Sequence, residues 1–249
     1  MLISYHEQNT HNILEEVVAS ESQKNEILNG SLVNDLCEFT NEYRLIMKFR
    51  DFFSRKSERG LRDHSSFYQS HWGKLSALHC MANENEEAPE TTRRRIVNWL
   101  EMLQIASQNA GVELLERKLS SFHEELGDTV NELEFSFSRL LDTEDVFKAK
   151  YRAMGMILHI IQDSFTISHC ERNTDTGKIE MFFCYGMQDK FVHQKYDKII
   201  EKYDKYSKDI MAGIITSLLN NQSIDFESYF ELSPTAQSSQ GGEERFVQK

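Results

Sequence analysis

Apolar residues return every three or four positions along nearly all of this chain, the spacing that lines one face of an α-helix. Ile13, Leu14, Val17 and Val18 open a first stripe, and Asn29-Gly30 supplies a stop signal. Ser31 is a candidate cap for a second helix whose stripe includes Leu32, Leu36, Phe39, Tyr43, Ile46 and Met47. Residues 55–66, rich in Lys, Arg, Ser and Gly, read as a loop. A helix is predicted over 71–81, an acidic linker over 83–90, and a further helix from Thr91 or Thr92 through Trp99 and Leu103. Gly111 and Gly127 interrupt two more amphipathic segments. The longest helical signals cover about 145–168 and about 188–219. Between them Ile179, Met181 and Phe183 alternate, which predicts a short hairpin strand or an ordered loop. From Ser233 onward Pro, Ser, Gln and Gly dominate, and a flexible polar tail is predicted over 233–249. The pattern predicts one all-α, multi-helix domain over residues 1–232.

The bulk numbers narrow the field. At 249 residues the chain can bury a sizeable core. Its 28 basic and 40 acidic residues leave a formal charge of -12, which argues against broad electrostatic capture of nucleic acid or anionic membrane. Catalysis on a phosphodiester stays open, because bound metal ions supply positive charge locally. Only two prolines occur, Pro89 and Pro234, so long uninterrupted helices are permitted. No apolar run approaches the ~20 residues that span a bilayer. The first residues lack a basic start and an apolar stretch, so no cleavable signal peptide is expected. That suits a cytoplasmic pool or export by a route without such a signal. The polar run 238–244 is a candidate export address or a disordered end. Cys37, Cys80, Cys170 and Cys184 are spread out and predicted to be free buried thiols.

The chemistry concentrates late in the chain. His159 and Asp163 form an i, i+4 pair inside a strongly apolar helix, His169 follows, and His193 and Asp197 form a second such pair. Each pair presents imidazole and carboxylate on one helix face, where a divalent ion can bridge them. A carboxylate buried in the first helix needs a cation or several hydrogen bonds. The competing reading of the first pair is a buried His-Asp hydrogen bond that fixes helix packing. For the second it is a solvated face, given Lys195 and Lys198 beside it. Nitrogen and carboxylate ligands without thiolate suit zinc, though other first-row ions share that preference. His79, between Leu78 and Cys80, reads as a core histidine or a support for a ligand, and His64 and His123 as surface residues.

These segments resemble the zinc-dependent bacterial phospholipases C and the related single-strand-specific zinc nucleases. Gly155-x-x-Leu158-His159-x-x-x-Asp163-x5-His169 is similar to the family's core motif, and Phe191-x-His193-x-Lys195-Tyr196-Asp197 to the phospholipase run Phe-His-x-Lys-Tyr-Glu. Asp in place of that last Glu is the nuclease choice. Upstream, Asn29-Gly30 followed by Asp35 resembles the stretch whose Asp is ligand and candidate base. Ser70-His71-Trp72 resembles another ligand segment, and His11, with His6 as rival or addition, the family's early ligand. The chain departs from the family at Gln162, where Gly is usual, and at Thr166-Ile167-Ser168-His169, where Gln-Pro-x-His is usual.

The resemblance implies an all-helical fold with two or three Zn2+ ions in one cleft between helices, and Asp163 bridging two of them. It implies the metal ligands His6, His11, Asp35, His71, His159, Asp163, His169, His193 and Asp197, with Asp35 as the catalytic residue. Family enzymes bind a third zinc through the amine of an N-terminal Trp, and Met1 is the only stand-in this chain suggests. Phe67, Tyr68 and Trp72 lie near ligands in sequence and are candidate substrate contacts. Their faces suit a choline ammonium, stacking on a nucleobase, or plain core packing. The implied activity is a phospholipase C, cleaving phosphatidylcholine-like glycerophospholipid to diacylglycerol and a phosphorylated headgroup, with transient contact to a membrane surface and no transmembrane segment. Alternatives are a zinc nuclease acting on single-stranded nucleic acid, and a degenerate metal-binding interaction module.

Overall fold

The helix Val146–Asp163 (α4) organises the molecule. Asp145 caps it, its carboxylate accepting from the Lys148 amide at 3.1 Å. From Ala153 to Asp163 every residue is buried, so this helix is enclosed on all sides. It occupies the centre of a computed structural model that describes residues 3–18, 20–34, 75–131, 133–199 and 201–242. Around it pack Ile3–Val17 (α1), Glu21–Val33 (α2), Pro89–Asn109 (α3) and, beyond the short Lys190–Tyr196 (α5), Glu201–Leu219 (α6). The fold is mostly helical, and no described helix is long and apolar enough to cross a membrane.

The most extensive packing on α4 is that of α2, followed by α3. Two glycines explain how near α2 comes. A Cβ on Gly155 would stand 2.0 Å from the Ile27 carbonyl oxygen, and one on Gly30 would stand 2.1 Å from that of Arg152. The helices therefore touch backbone to backbone, which only glycine allows. This corrects the stop signal read at Asn29-Gly30: α2 runs through it to Val33. Ser31 is likewise no cap but an interior residue whose hydroxyl donates to the Leu28 carbonyl at 2.8 Å.

Other boundaries follow local chemistry. Pro89 occupies the first turn of α3, two or three residues ahead of the Thr91 or Thr92 start expected from the sequence. Within the predicted helix 71–81, the described residues form only a 3-10 turn, Ser76–His79, ended by Cys80 at φ 54°. Gly111 precedes the short helix Val112–Glu116, and Gly127 at φ 77° ends His123–Leu126, as their composition suggests.

The stretch 188–219 is broken into α5 and α6, because its backbone at residues 198 and 199 pairs with the turn after α4. The Ile167 amide donates to the Lys198 carbonyl at 3.1 Å, and Thr166 bridges Ile199. Between α4 and α5 lies an antiparallel hairpin, Cys170–Arg172 (β1) and Ile179–Phe182 (β2), with Cys170 opposite Phe182 and a register irregularity between Glu171 and Arg172. Ile179, Met181 and Phe183 are buried, in keeping with their alternation.

The tail is not loose over its described part. The Ser233 amide donates to the Ile179 carbonyl and the Gln237 amide to that of Glu180, each at 2.8 Å. Further on, Gln240 accepts from the Cys184 amide at 2.8 Å. Ser239 is 1% exposed and bonds the backbone of Glu84, Glu86 and Glu87. Residues 233–242 are thus a strap over the hairpin, and composition misled because main-chain pairing supplies what the polar side chains do not. Residues 243–249 lie outside the described part.

Candidate metal centre

Both i, i+4 pairs are built. On α4, His159 Nε2 stands 3.0 Å from Asp163 Oδ2. The 3-10 turn brings in His79 from across the chain, its Nδ1 3.2 Å from the same oxygen and 3.1 Å from His159 Nε2. Asn34 anchors this turn, its side-chain amide donating to the Leu78 carbonyl at 2.8 Å. All three side chains of the group are fully buried.

The protons can be assigned from the backbone. A carbonyl only accepts, so a ring nitrogen facing one carries hydrogen. His159 Nδ1 donates to the Ser31 carbonyl at 2.7 Å, and His79 Nε2 to the Asn34 carbonyl at 2.9 Å. In the neutral rings, His159 Nε2 and His79 Nδ1 therefore present lone pairs, and both point at a carboxylate oxygen. Three lone-pair atoms this close repel one another unless a cation lies among them. Tetrahedral zinc, with Zn–N near 2.0–2.1 Å, sets neighbouring ligand atoms about 3.3 Å apart. Donor set and spacing fit a divalent ion of that size.

A second group adjoins the first. His169 Nδ1 donates to the His79 carbonyl at 2.7 Å and lies 3.4 Å from Asp163 Oδ2. Its Nε2 is 3.1 Å from Asp197 Oδ1, and His193 Nε2 is 3.9 Å from that oxygen. His193 Nδ1 donates to Gln188 Oε1 at 2.6 Å, which leaves its Nε2 as a lone pair. Ser168 donates a hydroxyl bond to Asp197 Oδ1 at 3.3 Å. Burial, reinforced by the neighbouring His169, holds the His193 imidazole well below its ordinary pKa of 6.5, the neutral state a ligand requires. The His169 ring joins the groups, its centre 6.2 Å from that of His79 and 5.1 Å from that of His193. Both His79, Asp163, His169 and His169, His193, Asp197 have the spacing to hold an ion.

Of the predicted ligands, His159, Asp163, His169, His193 and Asp197 converge. His11 does not join either group: it is exposed on α1, 3.9 Å from Glu15, because its helical position faces away from the core. His6 belongs to α1, with its side chain outside the described residues, and Met1, Asp35, Phe67, Tyr68, His71 and Trp72 also lie outside them. His123 is exposed, as expected. His79 joins the group although its sequence context, between Leu78 and Cys80, reads as core or support: a side chain offered from a 3-10 turn has no helical partner to reveal it. Gln162, at the family's glycine position, donates to the Thr10 hydroxyl at 3.0 Å and ties α4 to α1. Cys80, Cys170 and Cys184 are buried thiols outside any disulfide, as expected, and burial pushes the Cys80 thiol well above its ordinary pKa of 9.0. Compared with protein-family models, with curated proteins and with solved structures, the chain matches none.

Proposed function

We propose that this chain is a zinc-dependent phosphodiester hydrolase, and that its substrate is a glycerophospholipid cleaved between glycerol and phosphate. The observation that carries the reading is the convergence of four buried imidazoles, each with one ring N–H on a fixed acceptor and its other nitrogen toward one of two buried carboxylates, Asp163 and Asp197. In the neutral rings that polarity leaves lone pairs facing carboxylate oxygens, an arrangement that a cation among them would satisfy.

His79, His159 and Asp163 would hold one ion, and His169, His193 and Asp197 a second. Such ions lower the pKa of bound water and stabilise charge on phosphoryl oxygens. The protein's part is to keep the His193 imidazole neutral, fix the four rings through Ser31, Asn34, His79 and Gln188, and exclude bulk water. Asp35, as the residue that orients the attacking water, and Phe67, Tyr68 and Trp72, as headgroup contacts, rest on the family resemblance. A hydrolase of this kind would touch a membrane surface only in passing. Asp197, where the phospholipases carry Glu, favours a second reading, hydrolysis of single-stranded nucleic acid.

The test is elemental analysis of the purified protein, followed by parallel assays on phosphatidylcholine vesicles and single-stranded DNA with and without a chelator. Two or more ions per chain and chelator-sensitive release of diacylglycerol are expected. DNA cleavage alone would transfer the assignment to the nuclease. About one ion with neither hydrolysis would leave a degenerate interaction module. Asp35→Asn is expected to abolish turnover while the fold and circular dichroism persist; full activity would remove Asp35 from the chemistry.

A further inference from the structure

Gln188 has a part that no ligand motif assigns. Its side-chain amide donates to two backbone carbonyls, that of Ser168 at 2.9 Å and that of Gly241 at 2.7 Å. Carbonyls accept only, so the Gln188 nitrogen must face them and its oxygen must face the other way. Flipping the amide would put oxygen against two oxygens. The oxygen lies 2.6 Å from His193 Nδ1, which is therefore the protonated nitrogen, and Nε2 is left to face Asp197. Gln188 is buried, so water does not readily substitute for either contact.

One of the two anchors belongs to the segment next to His169, the other to the C-terminal strap. The strap's register is fixed close by, where Gln240 bridges Phe183 and accepts from the Cys184 amide at 2.8 Å. Gly242, at φ 75°, lies so near the Phe183 ring that a Cβ would stand 2.1 Å from a ring carbon. A side chain there would meet both strain and a clash, and would shift the strap.

We propose that Gln188 is the positioning residue of the second ligand group, selecting the His193 tautomer that can bind an ion, and that the strap 233–242 aims it through Gly241. The ion-binding half of this rests on the metal-centre reading; the tautomer half stands on the metal-free protein. The experiment compares wild type with Gln188→Leu, Gln188→Met and Gly242→Val. Ring nitrogen spectra assign the His193 tautomer without metal, and zinc titration counts sites and affinities. Wild type is expected to carry hydrogen on His193 Nδ1. Gln188→Leu should lose that preference and weaken one zinc site about 10- to 100-fold, as loss of a ligand's hydrogen-bond partner typically does, leaving the other site unchanged. Gln188→Met, which is closer to glutamine in length but also lacks the acceptor, should lose the same preference and decides the matter if the leucine variant does not fold. Gly242→Val should weaken the same site as Gln188→Leu. An unchanged tautomer in Gln188→Leu or Gln188→Met, or a different tautomer in wild type, overturns the proposal. Should wild type bind no zinc while Gln188→Leu still changes the tautomer, the metal reading falls and the positioning role stands.

Discussion

A histidine is known by where its second nitrogen points. His79 makes this concrete: one nitrogen donates to the Asn34 carbonyl, so in the neutral ring the other offers a lone pair to the Asp163 side. His79→Gln is therefore expected to lower zinc content by about one ion per chain, whereas His11→Ala, on an exposed face, should leave it unchanged; elemental analysis of both variants checks this. Cys80, the next residue, gives a separate test. Burial raises its pKa, so the neutral thiol persists as pH rises past the range in which an ordinary cysteine ionises. Thiol labelling at pH 8.5 should leave Cys80 unmodified in the folded protein and modify it in denaturant. Labelling at the rate of a free peptide thiol would contradict its burial.

At the level of elements, the decisive contact is the one between α2 and α4. It sets the Ser31 carbonyl against His159, so helix packing and ligand orientation are one constraint. Gly155→Ala is expected to destabilise the protein by about 3 kcal/mol, at the upper end for overpacking since the obstacle is main chain, and to weaken zinc binding as well. Urea unfolding and zinc titration measure the two effects. Much of α4 could be read in advance, because apolar periodicity, the Asp145 cap and the His159/Asp163 spacing agree with one another. The break after Asp197 could not, since it is made by pairing with residues some thirty positions earlier, and a local pattern carries no trace of such a partner. Asn29-Gly30 misled for the same reason: the local preference for a helix end yields to a tertiary contact. In the strap, polar composition concealed main-chain bonds that do not depend on side-chain type.

The whole molecule draws its candidate ligands from three distant stretches, around His79, from His159 to His169, and around His193, with supports from α2 and the strap. Ions bound only by the folded arrangement stabilise it by linkage. Chelation is therefore expected to lower the thermal midpoint, and restoring zinc to recover it; an unchanged midpoint would mean that the groups bind no ion in solution. The site residues legible beforehand were the two i, i+4 pairs and His169, which follows the first pair closely in sequence. His79 and Gln188, which no such spacing announces, required the assembled fold.

The glycine contact also bears on how this protein can vary. A bulky side chain in a core is often accommodated by trimming its neighbour, but the atoms facing Gly155 are the Ile27 carbonyl oxygen and the amide of Ser31, which every amino acid at those positions would also carry. Nothing can be trimmed. In a library randomised at both glycines and their surroundings, glycine at 155 should survive selection whatever accompanies it, because no second-site suppressor exists for a collision with the peptide chain itself.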